Sequence, residues 1–198
     1  MACQPPLSAM SQPNPILLIE DDPAQRLLLA AYLRLSPAAL PGATVLGCGT
    51  IGTGGGAGAL LGCAGNATLP PGVYVSATGS TIGVTGVLTL DGQGDANAQF
   101  VFQVPSALTT AAGAAGAPGS ELRLVNGAKA SNVWWQVGSS ATIGTYARFQ
   151  GNLLADTSIT MGTGASSCGR LLAGAVTASG AFVFDSNVVS VPGNGCPL

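Results

Sequence analysis

Thr142-Ile143-Gly144-Thr145, with Gly151-Asn152-Leu153-Leu154-Ala155 behind it, returns eighteen residues later as Thr160-Met161-Gly162-Thr163 with Gly169-Arg170-Leu171-Leu172-Ala173 behind it. A degraded third copy runs from Ala175-Val176-Thr177 to Val189. A period of about 18 residues is too short for a helical hairpin or a propeller blade, but it fits one turn of a β-solenoid. Each coil would hold three short strands rising ~3.3 Å per residue and would stack on the next at ~4.8 Å. Inward side chains such as Ile143, Phe149, Leu153 and Leu171 would form the core ladder, and Thr and Ser would cover the outside.

Upstream of the repeat, from about residue 68, the texture is the same: Val73-Tyr74-Val75, Val87-Leu88-Thr89-Leu90, Phe100-Val101-Phe102-Gln103-Val104, Leu122-Arg123-Leu124-Val125 and Val133-Trp134-Trp135-Gln136-Val137 are short β-type runs separated by turn residues. Strand neighbours point to opposite faces, so one of Trp134 and Trp135 goes into the core and the other outward. One helix is expected further upstream. Asp22 supplies an N-cap and Pro23 an N1 proline. Leu27, Leu28, Ala31 and Leu35 follow as an apolar stripe, and Ser36-Pro37 and Pro41-Gly42 bring it to an end near residue 39. The run from Leu35 to Leu90 has no charged residue, but Gly52-Thr53-Gly54-Gly55-Gly56 and Asn66 break it, so a membrane span is not expected.

Composition narrows the functions. Charged residues make up 7 % of the 198, against about 25 % in an average domain; thirty glycines, sixteen threonines and sixteen serines stand in their place. Six Lys+Arg against eight Asp+Glu give no basic footprint for nucleic acid. A mean hydropathy of +0.47 argues against disorder. Without histidine there is no Ser-His-Asp triad, Cys-His dyad or HExxH zinc site. No cofactor or metal is expected. One domain spanning 1–198 is large enough to bury a core.

Cys3, Cys48, Cys63, Cys168 and Cys196 contain no CxxC pair. Cys48 with Cys63 and Cys168 with Cys196 are two pairings the spacing allows, and buried free thiols are the alternative. Asn66-Ala67-Thr68 is a glycosylation sequon, and the first fifteen residues show no secretion signal. Pro15 to Arg26, with Glu20-Asp21-Asp22, looks like the opening of a response-regulator receiver. No acidic residue follows before Asp91, however, and Lys129 is the one lysine, so the rest of that site is missing. Asp91, Asp95, Glu121, Asp156 and Asp185 are the remaining carboxylates. Asp91-Gly92 and Asp95-Ala96-Asn97 read as turns and Asp156 as a coil corner, not as the clustered acids of a β-helix glycosidase or lyase.

The threonines carry the sharper reading. Thr142, Thr145, Thr160 and Thr163 recur at one offset, and Thr177 extends the column. Thr suits any solvent-facing strand. A rigid, uncharged array of methyls and hydroxyls can also order water into an ice-like layer, because stiff side chains lose little entropy on docking.

Leu69-Pro70-Pro71-Gly72-Val73-Tyr74, Leu88-Thr89-Leu90-Asp91-Gly92-Gln93-Gly94, Phe100-Val101-Phe102-Gln103, the run from Asn132 to Thr145, Gly151-Asn152-Leu153-Leu154-Ala155, and Thr163-Gly164-Ala165-Ser166 with Gly169-Arg170 strongly resemble the microbial ice-binding (antifreeze) protein family over residues 68–191. The resemblance implies a mainly β fold: a right-handed parallel β-helix of triangular cross-section, with one long α-helix, here 22–39, packed alongside. It implies a non-enzymatic, secreted protein with ice as its partner, which slows ice growth and inhibits recrystallisation. On it, Thr142, Thr145, Thr160, Thr163 and Ser166 are the ice-binding candidates, with Thr109, Thr110 and Thr177 at the margins. Which of the three faces binds stays open, since all carry Thr or Ser. Residues 1–20 match nothing of the β segment that precedes the helix in the family. Lost coils would shrink the binding face and expose an apolar edge, with a homodimer as the expected consequence. The alternative is a cell-surface adhesive or structural solenoid with no effect on ice.

Overall fold

The computed structural model describes residues 44–46, 50–51, 68–76, 81–174, 180–191 and 196. Strands form where apolar residues alternate with small or polar ones. In Ala141-Thr142-Ile143 the flanking residues are buried and the middle one is exposed, the period-2 pattern of a chain with one face on a core.

Three such strands make a coil. The first coil is β1 (Thr44–Leu46), β2 (Thr50–Ile51) and β3 (Thr68–Leu69); the second is β4 (Gly72–Ser76), β5 (Ile82–Val84) and β6 (Gly86–Asp91). The third is β7 (Phe100–Val104), β8 (Leu108–Thr110) and β9 (Ser120–Val125), and the fourth β10 (Val133–Val137), β11 (Ala141–Ile143) and β12 (Arg148–Gln150). The fifth is β13 (Asn152–Ala155), β14 (Ile159–Met161) and β15 (Ser166–Cys168); the last is β16 (Leu171–Ala173), β17 (Phe182–Val183) and β18 (Val188–Ser190). Each strand pairs in parallel with its counterpart in the next coil. The result is three six-stranded sheets: A (β1-β4-β7-β10-β13-β16), B (β2-β5-β8-β11-β14-β17) and C (β3-β6-β9-β12-β15-β18). This is a parallel solenoid, and among the described residues its strands already include Thr44–Leu46, ahead of the expected 68.

The eighteen-residue offset is the register between the fourth and fifth coils, with Thr142 beside Thr160 and Arg148 beside Ser166. Earlier coils are longer; Thr109 pairs with Thr142 across an offset of 33. The last coil is longer too. Thr160 pairs with Val183, so the column passes to Val183 and not to Thr177, because this coil carries five residues more than the repeat. Thr177 itself lies outside the described residues, as do the expected helix 22–39, the Asn66 sequon and Cys3, Cys48 and Cys63. Among the described residues there is no α-helix; Ala130–Asn132 is a single 3-10 turn.

The inward side chains of the three sheets meet in one core. Its axis carries an aromatic stack: Tyr74 on Phe102 at 5.2 Å, Phe102 on Trp135 at 3.9 Å, and Trp135 tilted against Phe149 at 5.5 Å. Tyr74, Phe102 and Trp135 are register partners, so the stack follows from the coil spacing. Trp135 is fully buried and donates its indole N–H to the Gln150 carbonyl, while Trp134 faces outward. Each such buried large side chain contributes about 1.5–3 kcal/mol. Burial also pushes the Tyr74 phenol up to about 12, and its hydroxyl donates to the Pro70 carbonyl.

Corners repeat as well. The Ala147 N–H donates to Gly144 O and the Ala165 N–H to Gly162 O, and the third residue of each turn, Tyr146 (φ 53°) or Gly164 (φ 68°), is left-handed. Asp156 lies at the bend between β13 and β14. Cys168 on β15 is joined to Cys196 by a disulfide with a Cα–Cα distance of 5.4 Å.

Candidate binding face

The three outward faces differ in chemistry. Sheet A carries bulky columns that mix apolar and amide side chains, Val73-Val101-Trp134-Asn152 and Val75-Gln103-Gln136-Leu154-Leu172. Within the second column Val75, Gln103 and Leu154 are 9 %, 7 % and 7 % exposed although they point away from the interior core. Sheet C carries charge. Glu121 sits between Arg123, at 2.9 Å, and Arg148, at 3.8 Å, on neighbouring outward positions. Such an exposed group contributes about 0–1 kcal/mol to stability, but it holds its own hydration.

Sheet B is built otherwise. Its central outward column runs Gly83, Thr109, Thr142, Thr160, Val183. A second column, Thr81, Ala107, Ser140, Ser158 and Ala181, lies before the inward residues, and the backbone bonds Ile82 N–H to Ala107 O, Leu108 N–H to Ser140 O, Ala141 N–H to Ser158 O and Ile159 N–H to Ala181 O hold it in line. Thr85, Ala111 and Gly162 continue the face on the other side. No charged residue occurs in these columns among the described residues. Rungs stand ~4.8 Å apart and outward positions along a strand ~6.7 Å apart, so the face is a grid of small groups on hydrogen-bonded backbone. Ser140 and Thr157 hydroxyls lie 2.7 Å apart, tying adjacent coils at its border.

The sequence candidates divide over this frame. Thr109, Thr142 and Thr160 share the central column, the first two exposed. Thr145 and Thr163 occupy the turns between sheets B and C, and the Thr163 hydroxyl donates to Asp185 at 2.5 Å. Ser166 lies on sheet C, paired with Arg148 and Val188. Thr110 points inward: it is 7 % exposed, and its Oγ1 accepts the Gly144 N–H at 2.8 Å. Thr81, Thr85, Ser140 and Ser158 belong to the B face and are missing from the sequence candidates. Their signal was available, since each flanks an inward apolar residue at period two.

Among the described residues no three His, Cys, Asp or Glu side chains group to hold a metal, and no helix is long and apolar enough to cross a membrane. Asp91 and Asp95 each accept a backbone N–H two residues on, from Gln93 and Asn97, as turn residues do.

The class the fold defines is a parallel three-sheet β-solenoid, here with one uncharged face of Thr, Ser, Ala, Gly and Val. The match to the Ice-binding-like family model covers residues 22–184, and the chain belongs to that family. It is 50 % identical over 127 residues to an ice-binding protein of Nostoc sp. (strain HG1), spanning 64 % of this chain and 42 % of that protein. To ice-binding protein 1 of Shewanella frigidimarina it is 43 % identical over 109 residues, spanning 55 % of this chain and 12 % of that one. The chain thus spans less than half the length of these relatives. Among solved structures it is similar to the ice-binding protein of Antarctomyces psychrotrophicus, with a TM-score of 0.65 and 36 % identity over 84 % of this chain and 68 % of that one. It is also similar to the Shewanella frigidimarina ice-binding protein 1 domain, with a TM-score of 0.66 and 31 % identity over 85 % and 61 %.

Proposed function

We propose that this protein is a non-enzymatic, secreted ice binder that adsorbs to ice through the outward face of sheet B. The observation that carries the reading is the central column Gly83-Thr109-Thr142-Thr160, flanked by Ser140 and Ser158 and free of charge. Threonine methyls sit in the voids of an ordered water layer while the hydroxyls bond into it. The hydrogen-bonded coils keep the array stiff, so little side-chain entropy remains to be lost at the crystal. The charges of sheet C and the bulk of sheet A disfavour those faces for the same work. Thr145 and Thr163 border the site at the corner, and Ser166 and Thr110 fall outside it.

The fine architecture belongs to the same proposal. The coils wind right-handed around a triangular section, with one long α-helix packed alongside. The low exposure of Val75, Gln103 and Leu154 supports a covered sheet A.

Recrystallisation of a polycrystalline ice film tests the function. Micromolar protein is expected to hold grain size constant over hours. Normal coarsening, with the β-type circular dichroism intact, would contradict it and leave an adhesive or structural solenoid.

A further inference from the structure

The corner between sheets B and C repeats from coil to coil. Its left-handed residue is Tyr146 in the fourth coil, Gly164 in the fifth and Ser186 in the last, with φ of 53°, 68° and 53°. The residue just before it belongs to a column that borders the outward face of sheet B. The bonds Gly113 N–H to Thr145 O, Tyr146 N–H to Thr163 O and Gly164 N–H to Asp185 O fix that column as Ala112, Thr145, Thr163 and Asp185. Uncharged rungs thus end on a carboxylate at the last coil.

Asp185 is firmly seated. Its N–H donates to Asn187 Oδ1 at 2.6 Å, and Asn187 Nδ2 donates to the Gly162 carbonyl of the coil before at 2.7 Å. Its Oδ2 accepts the Thr163 hydroxyl at 2.5 Å and its Oδ1 the Ser186 hydroxyl at 3.4 Å. The side chain is exposed, and no Lys or Arg pairs with it among the described residues. Asp156, at the opposite border of sheet B, is instead half-buried with Oδ1 out of solvent. Thr163 therefore gives its hydroxyl proton to the protein and not to an ordered water layer. A hydrogen bond to an ionised acceptor is roughly twice as strong as a neutral one, so water is a poor competitor for it. An unpaired carboxylate is also costly to strip of its own water. That shell lies at most ~7 Å along the chain from Val183, the last rung of the central column.

We propose that Asp185 sets the limit of the ice-contacting surface: it withdraws the Thr163 hydroxyl and keeps the last coil out of contact, so that the face stops at the fifth coil. The proposal rests on adsorption through sheet B.

Recrystallisation assays on Asp185 variants test it, with Asp95→Asn as the charge-matched control on the corner between sheets C and A. Asp185→Asn keeps an acceptor for Thr163 and removes the charge; Asp185→Thr continues the column. Each is expected to inhibit at roughly threefold lower concentration than wild type, the scale of one exposed charge, and Asp95→Asn at the wild-type concentration. Thr163→Val keeps the side-chain shape and deletes the hydroxyl. It should be silent in the wild-type chain and should reduce the gain in Asp185→Thr. Hydrogen exchange over residues 182–190 reports whether the last coil stays folded, and if Asp185→Thr loosens it, Asp185→Asn decides. Unchanged inhibition by the folded variants, with wild type active, overturns the boundary and leaves the sheet B reading in place. Weaker inhibition makes Asp185 a contributor to ice contact and overturns the boundary too, as does an equal gain in Asp95→Asn. A wild type without effect on recrystallisation overturns the sheet B reading and the boundary with it.

Discussion

At the residue scale the coils are held by side chains whose roles depend on the rung they occupy. Asn152 is fully buried on the outer side of β13; its Nδ2 donates to the Ser131 and Val133 carbonyls and its Oδ1 accepts the Arg170 N–H. The second copy of the repeat has Arg170 in its place. Gly169 is fixed by close approach, since a Cβ there would lie 1.9 Å from the Gly151 carbonyl oxygen at φ +148°. Tyr74 gives a pH signature. Its phenol is raised by burial from 10 to about 12. The neutral form is therefore favoured in the fold, and that contribution is complete below pH 10 and lost as pH rises through 12. Denaturant melts between pH 9 and 12 should show falling stability, with a shallower fall in Tyr74→Phe. Equal slopes in the two proteins would remove Tyr74 from the alkaline transition.

Elements were legible in proportion to how closely they kept the shortest coil. The fourth and fifth coils have no insertions, so Thr142 and Thr160 could be paired from their offset alone. The third coil is lengthened between Thr110 and Ser120 and again between Val125 and Val133, and the resulting offset of 33 hides the pairing of Thr109 with Thr142. Thr-x-Gly-Thr reads as one strand, but Gly144 and Gly162 open a turn, and Thr145 and Thr163 move to the corner. The split of Thr109 from Thr110 follows from period two, which a two-threonine run conceals. The disulfide acts at this scale too. Cys168 and Cys196 close a separation of 28 residues, which in the chain-entropy model contributes about 3–4 kcal/mol. Cys196→Ser should lower unfolding stability by roughly that amount while the repeat coils stay folded. A change under about 1 kcal/mol would mean that the bond constrains little in the unfolded chain.

At the scale of the whole molecule, three faces share one backbone frame and differ only in what they display. Sheet A displays large apolar and amide groups, sheet C an Arg-Glu-Arg group, and sheet B mostly small uncharged ones. The choice among them was closed to the sequence because outward Thr and Ser occur on more than one: Thr89 faces out from sheet C as Thr142 does from sheet B. Only the register, which places Glu121 and Arg123 beside Val87 and Thr89, separates the two. On the proposed function, the absence of charge from the outward columns of sheet B is what singles out that face. The most direct measurement compares Thr142→Tyr on sheet B with Thr89→Tyr on sheet C in the same recrystallisation assay, with both folds verified. Thr142→Tyr is expected to need roughly tenfold more protein than wild type for the same inhibition, equivalent to about 1.4 kcal/mol, and Thr89→Tyr to match wild type. Full activity in Thr142→Tyr, or an equal loss in Thr89→Tyr, would contradict sheet B as the ice-binding face.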